Sequence, residues 1–351
     1  MIKCLKYTAI LFLFIHVSCS SVFAQQTKTT DIYQDSLRIM FYNVENLFDP
    51  FDDSLKRDEE FTSEGARHWS WNKFQTKLSH IYKTILSAGN PLPPAIIGLC
   101  EIENRFVLNQ LVYKTPFSKL DYRIVHEESP DRRGIDVALL FDPKKVDLLN
   151  HEAIPVHFPF APESKTRDVL YAKLLVFNED TIHVFVNHWP SRWGGQMATD
   201  PKRKRVADIV KHKTDSILEI RPTANIIIMG DFNDEPHDES LYANLQARNL
   251  HDQSKLINLM LPLSSSKSGG SHKYQGQWGV LDQIIISNFL ISPMNQIIVK
   301  DSTANIFNAS FLLEDDIKFM GKKPFRTFIG FKYHGGYSDH LPVFIDLYKA
   351  L

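Results

Sequence analysis

The sequence predicts an α/β or α+β fold, because strand-like and helix-like segments alternate along almost its whole length. Eight short segments are rich in apolar and β-branched residues. Several are apolar at consecutive positions, as expected for strands buried on both faces. No internal repeat or change of composition marks a linker between these elements, so we expect one large domain.

The predicted strands are residues 37–44, 95–100, 135–141, 169–177, 181–188, 225–229, 282–287 and 341–348. The segment after Asn225 shows the pattern well, because four apolar residues follow each other without interruption. A strand of this kind needs cover on both of its faces, which argues for flanking helices or a second sheet.

Two longer segments have the period of amphipathic helices, with apolar residues three or four positions apart. In segment 70–88 they are Phe74, Leu78, Ile81, Ile85 and Leu86. In segment 201–219 they are Val206, Ile209, Val210, Ile217 and Leu218. Both helices are therefore expected to lie on a sheet, each with one apolar face.

The first residues have the composition of a secretory signal peptide. Lys3 and Lys6 precede the apolar run 8–15, and small or permissive residues lead to Ala24. This order predicts a signal peptide over residues 1–24 that is cleaved after Ala24. The apolar run is too short to span a bilayer core of about 30 Å. We therefore expect export to the periplasm or the medium.

Behind the signal peptide we predict a linker over residues 25–36 and a single catalytic domain over residues 37–351. A lipid anchor on Cys19 is an alternative for the N-terminus. Such a site prefers an aliphatic side chain three positions before the cysteine, where this chain has His16. We therefore favour cleavage near Ala24.

Cleavage at that point would remove Cys4 and Cys19 and leave Cys100 as the single cysteine. An intramolecular disulfide is then impossible. Because Cys100 ends the predicted strand 95–100, we expect its thiol to be buried and unreactive.

The formal net charge is −1 at pH 7, so bulk charge does not call for a nucleic-acid partner. Any recognition of phosphate must be local. The basic run 202–205 begins a predicted helix and is interpreted as a solvated face. No sequence feature indicates a protein partner or a stable membrane span, and we predict a monomer.

Polar and titratable residues stand at the ends of the predicted strands, where α/β proteins assemble their sites. They are Asn43, Glu101, His188, Asp231, Asn233, Asp282, Asp339 and His340. Taken alone, most have an ordinary explanation, such as a turn or cap for Asn43 and a surface carboxylate for Glu101. The whole set in this order calls for a common explanation.

The order of these residues resembles the endonuclease/exonuclease/phosphatase superfamily. The most specific motifs are Gly-Asp-Phe-Asn, which contains Asp231, and Ser-Asp-His-Leu-Pro-Val, which contains His340. The resemblance extends from Asn43 to His340 and implies a four-layer α/β/β/α sandwich. Two packed mixed sheets would be flanked by helices, with the site at one edge of the sandwich.

A phosphodiester hydrolase of this kind needs a divalent cation held by oxygen ligands, and such ligands suit Mg²⁺ or Mn²⁺. Glu101 is our first metal ligand, with Asn43 beside it, and the resemblance adds Asp339. The sequence shows no cluster of cysteine or histidine with the spacing of a zinc site.

The remaining residues receive roles in the hydrolysis. Asp231 would orient or deprotonate the attacking water, and Asn233 would hold the phosphate or the Asp231 carboxylate. His188 and His340 would donate hydrogen bonds to the phosphoryl oxygens. By analogy with the family, Asp282 would hold the ring of His340 in one tautomer.

Two arginines are candidate substrate contacts. Arg133 precedes a predicted strand and Arg192 follows another, but a plain surface arginine explains each equally well. Trp189 and Trp193 would suit stacking on a base, and a packing role is at least as good an explanation for both.

The function predicted from these observations is a secreted, metal-dependent phosphodiesterase, an endonuclease acting on DNA or RNA. Alternatives within the superfamily are a phosphomonoesterase and a sphingomyelinase-like lipid phosphodiesterase. The segment 278–286 lacks the arginine-containing motif of inositol phosphatases, and the loop 263–277 is rich in Ser and Gly where a sphingomyelinase would carry an apolar hairpin. A non-catalytic binding module is disfavoured because no member of the constellation is missing.

Overall fold

Two seven-stranded sheets pack face to face at the centre of the molecule. The computed structural model describes residues 36–264, 269–299 and 304–350. The predicted signal peptide over 1–24, the possible anchor at Cys19 and almost all of the predicted linker lie outside these residues and stay predictions.

The strands of the first half of the chain are β1 Ser36–Leu47, β2 Ile96–Ile102, β3 Arg123–His126, β4 Asp136–Phe141, β5 Val146–Ile154, β6 Val169–Val176, β7 Asp180–His188, β8 Asn225–Asp231, β9 Ala247–Arg248 and β10 Leu256–Asn258. Those of the second half are β11 His272–Tyr274, β12 Gln277–Gly279, β13 Asp282–Ser287, β14 Ile297–Val299, β15 Asn305–Ile306, β16 Leu313–Asp315, β17 Lys322–Pro324, β18 Phe328–Ile329, β19 Lys332–Tyr333 and β20 Val343–Lys349. All eight predicted strands are present among them.

The α-helices are α1 Trp71–Ala88, α2 Arg105–Lys114, α3 Gln196–Ile220 and the single turn α4 Leu261–Ser264. Short 3₁₀ segments cover Glu59–Phe61, Pro116–Lys119, Leu250–Asp252, Asn288–Ile291 and Ser310–Leu312, and a π-helical turn covers Ser240–Asn244. The predicted helix over 70–88 is confirmed. The helix predicted to begin at residue 201 begins at Gln196, so Pro201 lies inside it near the N-terminal end, where few backbone N–H groups have helical partners anyway.

The first sheet has the strand order β14-β20-β1-β2-β4-β3, with β15 on β20, and the second has the order β5-β6-β7-β8-β13-β10-β9. Two pairings are parallel near the middle of the sheets, β1 with β2 and β7 with β8. Strands β20 and β13 then add in antiparallel orientation to β1 and β8 respectively. Each sheet is thus mixed, as the resemblance implies.

Residues of alternate parity on each strand enter different apolar layers. In β1, Ile39 and Phe41 pack between the sheets, whereas Met40 packs against α1 and α2 on the outer side. Helix α3 covers the outer face of the second sheet in the same way. This two-sided cover explains why the strands are apolar at consecutive positions and confirms the α/β/β/α layers.

The same pairings bring distant segments to one edge. The carboxyl ends of β1, β2, β7 and β8 meet the amino ends of β13 and β20 there. His188 and Asp282 both stand opposite Asp231 in the strand register. This edge therefore collects strand ends from both sheets.

Two further expectations concern single features of the fold. Cys100 is fully buried, and burial holds the pKa of its thiol well above the usual value. Within the described ranges, no helix combines the length and the apolar character required to cross a bilayer.

Candidate active site

The backbone leaves regular geometry where the site residues project. Glu101 and Asn233 adopt positive φ angles of 60° and 51°. The β1–β2 register shifts between Asn43 and Leu47. Bulges and left-handed residues redirect side chains at strand ends. The consequence is that Glu101 points to the sheet edge although its neighbours belong to a buried strand.

Asp231 lies at the centre of the cluster. Its Oδ2 atom accepts a hydrogen bond from Nδ2 of Asn43 at 3.0 Å. The same oxygen lies 3.7 Å from Nε2 of His188 and 3.9 Å from Nε2 of His340. Three residues that are far apart in sequence therefore surround one carboxylate oxygen of Asp231.

Burial and the nearby Asp282 carboxylate raise the pKa of Asp231 to about 7, against the lowering effect of His340. A carboxyl with such a pKa can exchange a proton near neutral pH. The backbone N–H of Asn233 donates to Oδ1 of Asp231 at 2.9 Å, while the Asn233 side chain donates to the carbonyl oxygen of Trp189 at 3.1 Å. Asn233 thus fixes the Asp231 carboxylate through its backbone.

His340 and Asp282 form a buried pair. Nδ1–H of His340 donates to Oδ2 of Asp282 at 2.7 Å, which leaves Nε2 facing Asp231. Burial alone would lower the pKa of His340, but the Asp282 and Asp231 carboxylates outweigh it and hold this pKa well above the usual value. The other oxygen of Asp282, Oδ1, is buried without a hydrogen-bond partner.

His188 has the opposite protonation tendency. Burial, followed by the charges of Arg167 and Arg133, holds its pKa well below the usual value. Its Nε2 atom lies 3.9 Å from Oε1 of Glu101, and its Nδ1 atom is buried without a partner. His188 and His340 therefore have opposite pKa shifts, which favour a neutral ring for His188 and a charged ring for His340.

Glu101 is half-buried and is held by the backbone of the same edge. The N–H of Asn46 donates to its Oε2 atom at 2.8 Å, and Nδ2 of Asn43 lies 3.4 Å from its Oε1 atom. The carbonyl oxygen of the Asn43 side chain accepts from the N–H of Glu45 at 3.0 Å. Asn43 thus contacts both neighbouring carboxylates through its amide nitrogen, although its metal role would use the oxygen.

Asp339 belongs to a second group of charges that the sequence did not predict. Arg326 donates to Oδ2 of Asp339 at 2.9 Å and to Oε1 of Glu45 at 3.3 Å. Glu45 is buried and also accepts from the N–H of Thr327 at 2.6 Å. Burial, followed by Asp339, raises the pKa of Glu45 to about 7.

Lys77 completes this group from helix α1. Its ammonium is buried and donates to Oγ1 of Thr327 and to the carbonyl oxygen of Tyr337 at 2.6 Å. Burial lowers its pKa to about 8, against the nearby Glu45 and Asp339 carboxylates. Lys77 is therefore a buried cation whose charge interacts with the Glu45 and Asp339 carboxylates.

The loop before β20 is fastened to β1. The Ser338 hydroxyl donates to the carbonyl oxygen of Asn43 at 2.8 Å and accepts from the N–H of His340 at 3.1 Å. At Gly336, a Cβ atom would lie 2.2 Å from the carbonyl oxygen of Phe325. The glycine is needed because the two backbone segments approach this closely.

Three groups of His, Asp and Glu in the described residues could hold a metal ion. They are His272 with Asp339 and His340, Asp231 with Asp282 and His340, and His126 with Glu128 and Asp136. The sequence shows no zinc-type spacing for these groups, because their members come from different strands and loops and meet only in the folded chain. Asp339 is a member of the first group, and Glu101, which lies 3.9 Å from Nε2 of His188, adds a hard oxygen atom at the same edge, which suits a divalent cation.

The two candidate substrate arginines differ in their surroundings. Arg192 donates to the carbonyl oxygen of Asn233 at 2.6 Å and to Oδ2 of Asp238 at 2.7 Å. Arg133 is exposed, and its charge reaches His188, whose pKa it helps to lower. Arg192 thus braces the Asn233 turn, whereas Arg133 keeps its guanidinium towards solvent.

The two tryptophans are also distinct. Trp189 is buried, donates to Oδ1 of Asn187 at 3.1 Å and packs against Phe232. Trp193 is 89% exposed and lines a cavity of about 560 Å³ together with Tyr274, Trp278 and His272 among others. The ring of His272 lies 4.7 Å from that of His340, so this aromatic cavity begins beside the cluster.

The sequence matches the profile of a protein family over residues 38–349, and the description of that family is Endonuclease/Exonuclease/phosphatase family. A comparison with curated protein sequences finds no match.

Three solved structures illustrate the likeness. D. rerio TDP2 complexed with a single-strand DNA product has 14% identity and a TM-score of 0.55, over 89% of this chain and 98% of that chain. The human Nocturnin catalytic domain has 18% identity and a TM-score of 0.50, over 90% and 94%. An endonuclease/exonuclease/phosphatase from Bacteroides vulgatus has 13% identity and a TM-score of 0.53, over 90% and 99%. At these identities the likeness concerns the fold.

Proposed function

Since the chain belongs to the endonuclease/exonuclease/phosphatase family, we propose that it is a divalent-metal-dependent phosphodiester hydrolase that acts on nucleic acid as an endonuclease. The observation that carries this proposal is the surrounding of Asp231. The pKa of Asp231 is raised to about 7. Its Oδ2 atom has two histidine Nε2 atoms within 4 Å, at 3.7 Å and 3.9 Å. Such a set can accept a proton from water and donate hydrogen bonds to a phosphoryl group.

The residues divide the chemistry by charge. Asp231 takes the proton of the attacking water. His340, held charged by Asp282, donates from Nε2 to a phosphoryl oxygen as negative charge develops there. His188 is neutral and presents Nε2 beside the same carboxylate, where it orients the phosphate or the water. Asn233 keeps the Asp231 carboxylate in place through its backbone N–H.

Glu101 and Asp339 are the residues that would hold Mg²⁺ or Mn²⁺, with Asn43 positioning Glu101. When bound, this cation supplies positive charge at the phosphoryl oxygens and at the leaving group. Asp339 is suited to the role because Arg326, together with nearby histidines, outweighs its burial and lowers its pKa. It therefore stays ionised as a ligand should.

The aromatic cavity favours nucleic acid among phosphodiesters. Trp193, Tyr274 and Trp278 offer flat faces beside His272 and His340, and bases stack on aromatic side chains with little dependence on sequence. The similar fold of TDP2, solved with a single-strand DNA product, is consistent with this choice. Arg133, whose charge acts on His188, is the proposed phosphate contact near that histidine.

A substrate panel tests the proposal. Purified protein with Mg²⁺ is offered plasmid, single-stranded DNA, RNA, sphingomyelin vesicles, inositol phosphates and bis-p-nitrophenyl phosphate. We expect internal cleavage of a nucleic acid that stops after EDTA treatment and is restored by Mg²⁺ or Mn²⁺. Glu101→Gln should need a higher metal concentration for the same rate. Full turnover of any substrate in EDTA would refute the metal dependence.

We propose export as well, on the composition of residues 1–24. The exported protein should begin near Gln25, which N-terminal sequencing of the periplasmic and medium fractions measures. A mature chain that starts at a lipid-modified Cys19 would support anchoring.

A lipid phosphodiesterase is a second candidate, because the structure has a hairpin with exposed apolar side chains outside the loop 263–277. The turn between β16 and β17 exposes Ile317 to 95% and Met320 to 82%. Lys273, next to His272, donates to the carbonyl oxygen of Met320 at 3.2 Å, so this hairpin is linked to the strand that borders the site. Ile317→Ser with Met320→Ser should abolish hydrolysis of lipid vesicles and spare nucleic acid if lipid is a substrate.

A further inference from the structure

A cluster of titratable side chains outside the candidate active site lies where β3 ends and β4 begins. His126 stands opposite Ala138 in the register of these antiparallel strands. Continuing that register places Glu128 opposite Asp136, and residues two positions apart on a strand share a face. His126, Glu128 and Asp136 are thus neighbours on one face of the hairpin, although ten positions separate the first from the last.

Two atoms in this cluster are buried and lack hydrogen-bond partners. Oδ1 of Asp136 accepts from the N–H of Ser129 at 2.9 Å and from its hydroxyl. Oδ2 of Asp136 and Nε2 of His126 have no hydrogen bond, and only 1% and 2% of their side chains is exposed. The two atoms have only each other, in a contact that becomes an ion pair when the ring is protonated. A buried polar atom without a hydrogen bond costs about 1–3 kcal/mol, and this cost favours a ligand between them.

The separation of the two atoms has the value expected for neighbouring ligands of one ion. Nε2 of His126 lies 3.3 Å from Oδ2 of Asp136. Two ligands held at about 2.0–2.2 Å from a tetrahedral ion are roughly 3.3–3.6 Å apart. A carboxylate oxygen of Glu128 lies within 4.8 Å of one ligand atom of His126 and one of Asp136.

The donor set identifies the class of ion. One imidazole and two carboxylates suit Zn²⁺ or Mn²⁺, and the imidazole disfavours Mg²⁺. The two carboxylates bring two negative charges that a divalent cation can neutralise. Lys56, which donates to the carbonyl oxygen of Ser129 at 3.3 Å, is the cation already near them. Because Glu128 is exposed, the remaining coordination positions open to water.

We propose that His126, Asp136 and Glu128 form a second divalent-metal site, of the Zn²⁺ or Mn²⁺ class, that clamps the end of β3 to the start of β4. The site closes the loop over 127–135, which carries Arg133 beside His188. The ion is separate from the one proposed for Glu101 and Asp339, and it positions the loop without taking part in the hydrolysis.

Metal binding tests this inference without reference to activity. Full-length mature protein carrying Glu101→Gln is stripped with EDTA, dialysed, and titrated with Zn²⁺ and with Mn²⁺ in a calorimeter. Elemental analysis after gel filtration then counts the ions per chain. Because the other candidate ligands of the active site remain in this background, the ion of the second site is identified by its loss with His126 and not by the total count. Adding His126→Gln should weaken the affinity at least ~10-fold, the lower bound typical even of residues that only support a ligand.

His151→Gln is the matched control, because His151 is exposed nearby and pairs with Glu127 at 3.0 Å. It should leave the affinity unchanged. Glu128→Gln provides a variant at an exposed position, where folding is not at risk, and should also weaken binding. Equal affinities of the His126→Gln and His151→Gln proteins, or no bound ion in the Glu101→Gln background, would overturn the inference. Loss of hydrolysis alone would leave it standing, so its failure is distinguishable from failure of the proposed function.

Discussion

Two halves of the candidate active site compensate their buried charges differently. We call one the histidine half and the other the arginine half. The histidine half consists of His188, Asp231, Asp282 and His340. The arginine half consists of Glu45, Lys77, Arg326 and Asp339. Both are largely buried, both join distant segments, and both contain two carboxylates.

In the arginine half, Arg326 contacts both carboxylates, at 3.3 Å and 2.9 Å, and the charge of Lys77 interacts with both. In the histidine half, two carboxylates share one charged ring, and buried atoms of Asp282 and His188 remain without partners. Matched charges hold a structure in place, whereas unmatched polar atoms retain capacity for a substrate. The difference teaches that changes in the histidine half should act on the rate, whereas changes at Lys77 and Glu45 in the arginine half should act on stability. Asp339, the proposed metal ligand of that half, should affect both.

The largest expected effect is that of Asp231→Ala, which should lower kcat by about 10²–10⁴-fold. The melting temperature should stay or rise, because the substitution removes a buried carboxyl whose pKa is raised to about 7. Asp52→Ala, at an exposed carboxylate, is the control for both measurements. If the Asp231→Ala protein kept most of its activity, the claim that the histidine half controls the rate would be wrong.

A double-mutant cycle on His340 and Asp282 should give the next largest effect. Each of His340→Ala and Asp282→Asn should reduce kcat by roughly 10²-fold, and the double variant should be little worse than His340→Ala alone, because residues acting as a unit are non-additive. Initial rates on the best substrate of the panel measure this. Effects that multiply would show that the two residues act independently.

Lys77→Met should act on stability instead. Removing one partner of a buried ionic group costs about 3–5 kcal/mol, and we expect the free energy of unfolding in urea to fall by about 3 kcal/mol. Lys83→Met is the matched control, because Lys83 lies on the same helix, is exposed, and donates to the Tyr337 hydroxyl at 3.1 Å. A Lys77→Met protein that is stable but inactive would show that Lys77 acts in catalysis and not in stability.

The smallest effect concerns His183, a buried histidine outside both halves. Its Nδ1 atom pairs with the Tyr171 hydroxyl at 2.7 Å, and burial, followed by nearby cations, lowers its pKa to about 4. The unfolded chain binds the extra proton between about pH 4 and 6.5. The contribution of neutral His183 to stability is therefore complete above this window and is lost as the pH falls through it.

Urea unfolding at about pH 4.5 and about pH 7 should show this loss, on the order of 1–2 kcal/mol for a group that is not fully enclosed. His183→Gln should flatten the difference, and the exposed His151→Gln should not. An unchanged slope in His183→Gln would show that another group dominates. His340, with two carboxylates as neighbours, has its pKa shifted in the other direction, so burial alone does not decide how a histidine titrates here.

Much of the frame could be predicted from the sequence, because apolar runs such as 225–229 are local signals. Strand β5 was not predicted, since several residues of Val146–Ile154 are exposed and polar. Helix α2, Arg105–Lys114, was missed because its apolar face spans only ten residues. In both cases the partner surface, rather than the local pattern, selects the element.

The histidine half could be located from the sequence because its members follow apolar strands or belong to short motifs. The arginine half could not. Lys77 resembles any polar residue on a helix, and its partner Thr327 is 250 positions away. Glu45 and Arg326 are 281 positions apart. Only the folded chain brings these charges together, so no local spacing could reveal them.

The pairing of β1 with β20 also makes the candidate active site depend on the last strand that the structure describes. Arg38 and Asp346, which are paired across these strands, are 308 positions apart, and Ser338 fastens the loop that carries His340 to Asn43. Contacts this distant in sequence close late in folding. A chain that lacks residues 338–349 also lacks Asp339, His340 and most of the strand behind them, so its candidate site is incomplete.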